Sequence, residues 1–129
     1  MNTGLKRMNL TYTIDKAANT VNVVYTGHPE FVEWAGMMNN VFRDPDFTPG
    51  FSFLLDRRNV NTAPSPAYIE RIVTFHKDHE RELGKSKVAV VVSEMASYGM
   101  VRMSQGLIGD HINLNVFTDI NEAVDWLGG

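Results

Sequence analysis

Apolar and polar residues take turns at the beginning of the chain. Met8, Leu10, Tyr12 and Ile14 alternate with Asn9, Thr11, Thr13 and Asp15, a period of two that puts every second side chain on one face of a half-buried strand. After a short polar turn over 17–20, Val21, Val23 and Tyr25 resume the alternation. The pair predicts an antiparallel opening hairpin. A helix then begins at His28 and Pro29, since proline is tolerated in a first helical turn. Its apolar side carries Phe31, Trp34, Ala35, Met38, Val41 and Phe42. With Met37 the arc reaches roughly 160° at about 100° per residue. That is wider than one sheet contact needs, so a neighbouring helix, a partner or a ligand covers the remainder.

The stretch 44–50 holds two prolines and a glycine and reads as a loop. Two later segments, FSFLLD (51–56) and VAVVV (88–92), are apolar on both faces. Strands of that kind lie in the middle of a sheet, usually parallel, with helices on both sides. Between them a helix is predicted from Pro66 to about Leu83, with Ser65 as N-cap and Pro66 in the first position. Ile69, Ile72, His76, His79 and Leu83 share its inner face, and Glu70, Thr74, Lys77, Asp78 and Arg81 its wet one.

Ser93 suits the cap of a third helix, 94–108, with Ala96, Met100, Met103 and Leu107 as its core stripe. Gly99 and Gly106 each cost that helix about 1 kcal/mol against alanine, which suggests close backbone approach. Ile112, Leu114 and Val116 alternate with Asn113 and Asn115, the mark of a strand with one wetter face or at an edge. Asp119 and Glu122 have capping-box spacing before an amphipathic last helix. The order is β-β-α-β-α-β-α-β-α. It describes a single α/β domain over 1–129 with a mixed, mostly parallel five-stranded sheet covered by helices.

A chain of 129 residues removes roughly two-thirds of its unfolded surface from water on folding, enough for one core. Hydrophobic residues make up 43% and charged residues 21%, as in ordinary globular domains. The net charge of −3 and the lack of any dense Lys/Arg run disfavour nucleic acid and an electrostatic membrane anchor. With no cysteine, disulfides, thiolate catalysis and Cys-ligated zinc are excluded. Val88 to Val92 is the longest aliphatic run and too short to span a bilayer. The first ten residues include Lys6 and Arg7 but no signal-like apolar stretch. The expected compartment is the cytoplasm, without membrane insertion.

Catalytic signatures are missing. No serine sits in G-x-S-x-G, and there is neither a P-loop nor G-x-G-x-x-G. His76 and His79 lie three apart with Asp78 and Glu80 beside them, but without HEXXH spacing or a third ligand. Their rings are expected to pack at the sheet margin. No metal, cofactor or enzymatic activity is expected.

Ligands and partners of parallel sheets meet the loops beyond the strand carboxyl ends, here 57–65, 93–94 and 118–119. Ser65, Arg57, Arg58 and Thr62 form a candidate anion or phosphoacceptor site. Unpaired helix N–H groups near Ser65 favour an anion, and the arginines add charge-assisted bonds. The plainer alternative is a simple helix cap beside solvated arginines. Trp34, Met37, Met95, Tyr98 and Arg102 form a candidate partner or ligand surface. Against it, Trp34 reads as a packing residue first and Met95, Tyr98 and Arg102 as incidental surface.

Three stretches, FSFLLDRRNV (51–60), KVAVVVSEMASYGMVRM (87–103) and NVFTDINEAVDWL (115–127), together with the element order, resemble the STAS or SpoIIAA-like superfamily, domains similar to anti-sigma-factor antagonists. The close of the chain is similar to a branch of small, mostly uncharacterised bacterial proteins. The resemblance implies a SpoIIAA-like fold and a non-catalytic regulatory or protein-interaction module with a protein partner, a homodimer being one expected state. In the better-known branch a phosphorylated serine lies in an Asp-Ser-Ser-Gly-like turn. The matching region here, Asn61-Thr62-Ala63-Pro64-Ser65-Pro66, keeps a serine at Ser65 and lacks the aspartate and the glycine. Related folds also bind lipids. The alternative is therefore a carrier or sensor of a small apolar or amphipathic ligand, lined by the first helix and the Met-rich third.

Overall fold

The computed structural model describes residues 9–60, 62, 64–93, 98, 102, 105, 106, 108 and 112–128. Two strands open it, β1 (Leu10–Asp15) and β2 (Thr20–Tyr25). They pair antiparallel, Leu10 opposite Tyr25 and Asp15 opposite Thr20. Asn19 turns the chain at φ 52°, a left-handed conformation that asparagine tolerates better than most residues.

Strands β3 (Ser52–Asp56), β4 (Lys87–Val91) and β5 (Asn113–Phe117) extend the sheet in the order β1-β2-β3-β4-β5. Every junction from β2 onward is parallel. The two segments apolar on both faces are therefore neighbours at the centre, with Phe53 opposite Val88 and Leu55 opposite Val90. As its asparagines suggest, β5 is an edge strand.

Strand periodicity divides the core in two. Val21, Val23, Tyr25, Phe53, Val88, Val90 and Val116 face the main cluster under helices α1 (Phe31–Arg43) and α2 (Pro66–Asp78). Leu54, Ala89 and Val91 point the other way, against Ala123 of the last helix, α4 (Ile120–Gly128). Ala89 and Ala123 are both fully buried. Two methyl side chains at one helix–sheet contact let the helix backbone approach closely. Asp119 caps that helix by accepting the Asn121 N–H at 2.8 Å, a bond to the second helical residue rather than the third-residue bond of a capping box.

Two boundaries differ from the sequence reading. The first helix starts at Phe31 rather than at His28, because Glu30 is extended (φ −70°, ψ 157°) and Pro29 is spent as a buried lead-in. The long helix from Pro66 is broken at His79 (φ −122°, ψ 30°), leaving a short α3 (Glu80–Leu83). Periodicity hides this break, since Leu83 N–H still reaches the His79 carbonyl at 3.0 Å. Gly84 then ends α3 at φ 66°, where a Cβ would stand 2.7 Å from the Gly50 nitrogen. Only glycine fits there. Between β4 and β5, Tyr98, Arg102, Gln105, Gly106 and Ile108 are helical. The stripe Ala96, Met100, Met103 and Leu107, with Gly99, lies outside the described residues.

Candidate functional site

A cavity of about 90 Å³ lies between the α1–α2 layer and the sheet. Phe53, Leu55, Val88, Val90 and Leu114 form its floor. Trp34 and Met38 of α1, with Ile69 and Ile72 of α2, form its roof, and Ile108 and Ile112 close one side. These groups are almost wholly apolar. The wide arc of α1 thus has two covers. Phe75 of α2 meets Trp34 edge-on at 5.0 Å, His76 stacks on the same indole at 6.1 Å, and the cavity takes part of what remains.

The polar groups gather at the end of the cavity beyond the strand carboxyl ends. Tyr25 is the last residue of β2, Arg57 follows β3, and Tyr68 stands in the first turn of α2; all three line the cavity. Arg57 is only 8% exposed. Its guanidinium lies 4.8 Å over the Tyr25 ring, a cation–π contact. Nη2 donates to the Thr62 carbonyl at 3.1 Å and to His28 Nδ1 at 3.3 Å. A guanidinium has no acceptor, so this His28 nitrogen must be unprotonated. Among the described residues no carboxylate pairs with Arg57. The Tyr68 hydroxyl is buried and makes no hydrogen bond among them. Burial, with Tyr25 alongside, holds that phenol well above its ordinary pKa, so it stays a donor.

The remaining expected site residues separate. Ser65 is exposed and caps α2, accepting the Tyr68 N–H at 3.1 Å; no hydrogen bond joins it to either arginine. Arg58 is a surface residue whose Nε and Nη2 grip Asp56 at 2.9 and 2.7 Å. That grip holds the Asp56 carboxyl below its ordinary range. Thr62 is exposed and contributes its carbonyl to Arg57. Trp34 is buried in the aromatic seam between α1 and α2. Met37, also buried, lines a shallow groove with Leu10, Tyr12, Glu33 and Asn40. Tyr98 packs against the core cluster, and exposed Arg102 sits 6.0 Å from its ring. Met95 lies outside the described residues.

The two helix histidines pack on aromatic rings of the α1–α2 layer. His79 stacks on Phe75 at 3.9 Å and on Phe42 at 5.4 Å. Both rings give their Nδ1 hydrogen to the carbonyl one turn back, His76 to Ile72 at 3.0 Å and His79 to Phe75 at 2.8 Å. Among the described residues no three histidine, aspartate or glutamate side chains converge. None of their helices is long and apolar enough to cross a membrane.

Tyr68 and the burial of Arg57 escaped the sequence reading, although strand parity carried a signal. Phe53 and Leu55 face the main cluster, and Arg57 continues that parity; its N–H extends the ladder to the Val91 carbonyl at 2.8 Å. Arg58 falls on the opposite parity with Asp56.

Burial lowers the pKa of His76, and burial with the nearby Arg57 charge lowers that of His28, both below the ordinary 6.5. The unfolded chain therefore binds more protons than the folded one just below that value. Stability is complete above about pH 6.5 and falls as pH drops toward the depressed folded pKa values. Thermal unfolding followed from pH 8 to 5 checks this against a double variant carrying His28→Gln and His76→Gln. Wild type should lose midpoint across that window and the variant much less; a flat wild-type profile would refute the assignment.

No family model matches the chain, and no curated protein does. Among solved structures, an uncharacterised protein from the DUF3478 family with a SpoIIAA-like fold, from Shewanella loihica PV-4, is similar over 98% of this chain and 99% of its own. The two share 15% identity at a TM-score of 0.62. At that identity the likeness is one of fold.

Proposed function

Because the chain has a SpoIIAA-like α/β fold, we propose that it serves as a binding module, carrying or sensing a small amphipathic molecule held in the cavity between α1, α2 and the sheet. The observation behind this reading is the polarity of that cavity. Its walls are aliphatic and aromatic, and among the described residues its only cation, Arg57, and its one unpaired hydroxyl, that of Tyr68, stand together at the strand carboxyl ends. Concave, largely apolar pockets with a few convergent polar groups are the usual form of small-molecule sites, and that edge of a parallel sheet is their usual place.

Thermal shift and calorimetry with small amphiphiles, run beside a cavity-filling variant, test it. Val90 is buried at the centre of the floor, so Val90→Phe extends a ring into the void. The wild type should be stabilised by ligand, as any species binding only the folded state must be. Val90→Phe should melt cooperatively, within a few degrees of wild type, and show no ligand shift. Equal shifts in both proteins would place binding elsewhere. No shift with any amphiphile would end the reading.

A regulatory or protein-interaction role is the second reading. Its support is the exposed hydroxyl of Ser65 at the start of α2, one turn before Tyr68. Pull-downs comparing wild type with Ser65→Asp check it, and unchanged partners would count against that loop as the contact face.

A further inference from the structure

A buried cation needs a counter-charge, and Arg57 has none among the described residues. Its partners are a carbonyl, a neutral imidazole and an aromatic face, which solvate the guanidinium without neutralising it. Such a group is costly to bury. The Tyr68 hydroxyl, also lining the cavity, is a buried donor with no acceptor among the described residues, and unsatisfied buried polar atoms are rare in folded proteins. Both deficits lie at the same end of one cavity, and a single acceptor-only anion placed there answers both.

Resting on the binding-module reading above, we infer that the ligand is a small monocarboxylate whose head lies against the Arg57 guanidinium and the Tyr68 hydroxyl and whose compact apolar tail fills the cavity. The planar fork of arginine matches a carboxylate. A phosphate dianion calls for more positive charge, and Arg57 is the only lysine or arginine among the described lining residues. His76 lies two turns along α2 from Tyr68 and is kept neutral by burial. Size sets the tail. The space of about 90 Å³ is smaller than the ~150 Å³ apolar cavity known to hold benzene. It suits a short alkyl chain and excludes the full length of a long-chain fatty acid.

Calorimetric titration of the wild-type protein with pentanoate and hexanoate, against pentanol and hexanol, separates this inference from the reading beneath it. The acids should bind about ten- to a hundred-fold more tightly than the alcohols, the range for hydrogen bonds to a charged group. Arg57→Met should erase that preference, bringing acid binding down to the level of the alcohols. Tyr68→Phe should reduce acid binding several-fold, and palmitate should bind no more tightly than hexanoate. Acids and alcohols binding equally would overturn the carboxylate while leaving the cavity as a binding site. Failure of all four ligands would overturn both. The wild-type comparison needs no substitution, so it decides the matter even if Arg57→Met does not fold.

Discussion

Replacing Trp34 with alanine is expected to cost about 3–5 kcal/mol of folding stability, the range for deleting a buried tryptophan. The indole is 5% exposed and sits between α1, α2 and the cavity above the sheet. Phe31 lies at 5.9 Å, Phe75 at 5.0 Å edge-on and the His76 ring at 6.1 Å, and its inner edge lines the cavity. Truncation removes the transfer free energy of the ring and merges its space with an existing void, so little can collapse to compensate. A domain of this size has about 5–15 kcal/mol in all, so the loss takes a large share. Urea unfolding should show a much lower midpoint with an unchanged slope. Val32→Ala, at a position on the same helix that is 73% exposed, should stay within about 0.5 kcal/mol. A loss at Trp34 below about 1 kcal/mol would mean that the indole is surface, as a partner-facing residue would be.

The second large effect separates two adjacent arginines. Arg57→Ala is expected to destabilise by about 2 kcal/mol and Arg58→Ala by less than about 1 kcal/mol. Loss of the Arg57 side chain strands the Thr62 carbonyl and removes the cation over Tyr25. Relief of an unneutralised charge offsets part of that, which keeps the figure below the cost of breaking a full buried ion pair. Arg58 grips Asp56 in water, where even a two-bond ion pair contributes little. Its removal should mainly bring the Asp56 carboxyl back toward its ordinary range. Denaturant midpoints for the two variants check the contrast. Equal effects would contradict the inward and outward assignments of the pair.

That contrast shows what was readable in the chain. The sheet was legible because its two central strands are apolar on both faces, a pattern that few other environments require. The cap at Ser65 was legible because serine before proline has a local cause. Helix limits were less so. Glu30 stays extended after a proline that would have suited a helix start. His79 breaks a helix without disturbing its apolar stripe, since His79 and Leu83 keep the same side. Tertiary contact decides both. The cavity was the least legible part. Tyr25, Arg57, Tyr68 and Ile112 come from four separate parts of the chain, and only the spacing between helix and sheet brings them to one space. Sequence alone leaves both arginines open between an anion site and solvated surface, although strand parity places one of them inward.

The most direct test of the ligand cavity is an isotope-filtered NOE experiment on labelled protein with hexanoate, repeated with hexanol. Contacts are expected from the ligand chain to the methyl groups of Ile69, Ile72, Val88 and Val90, with the head of hexanoate close to the Tyr68 ring. Contacts confined to the exposed side chains of Val24, Val32 and Val124, or none at saturating ligand, would contradict it.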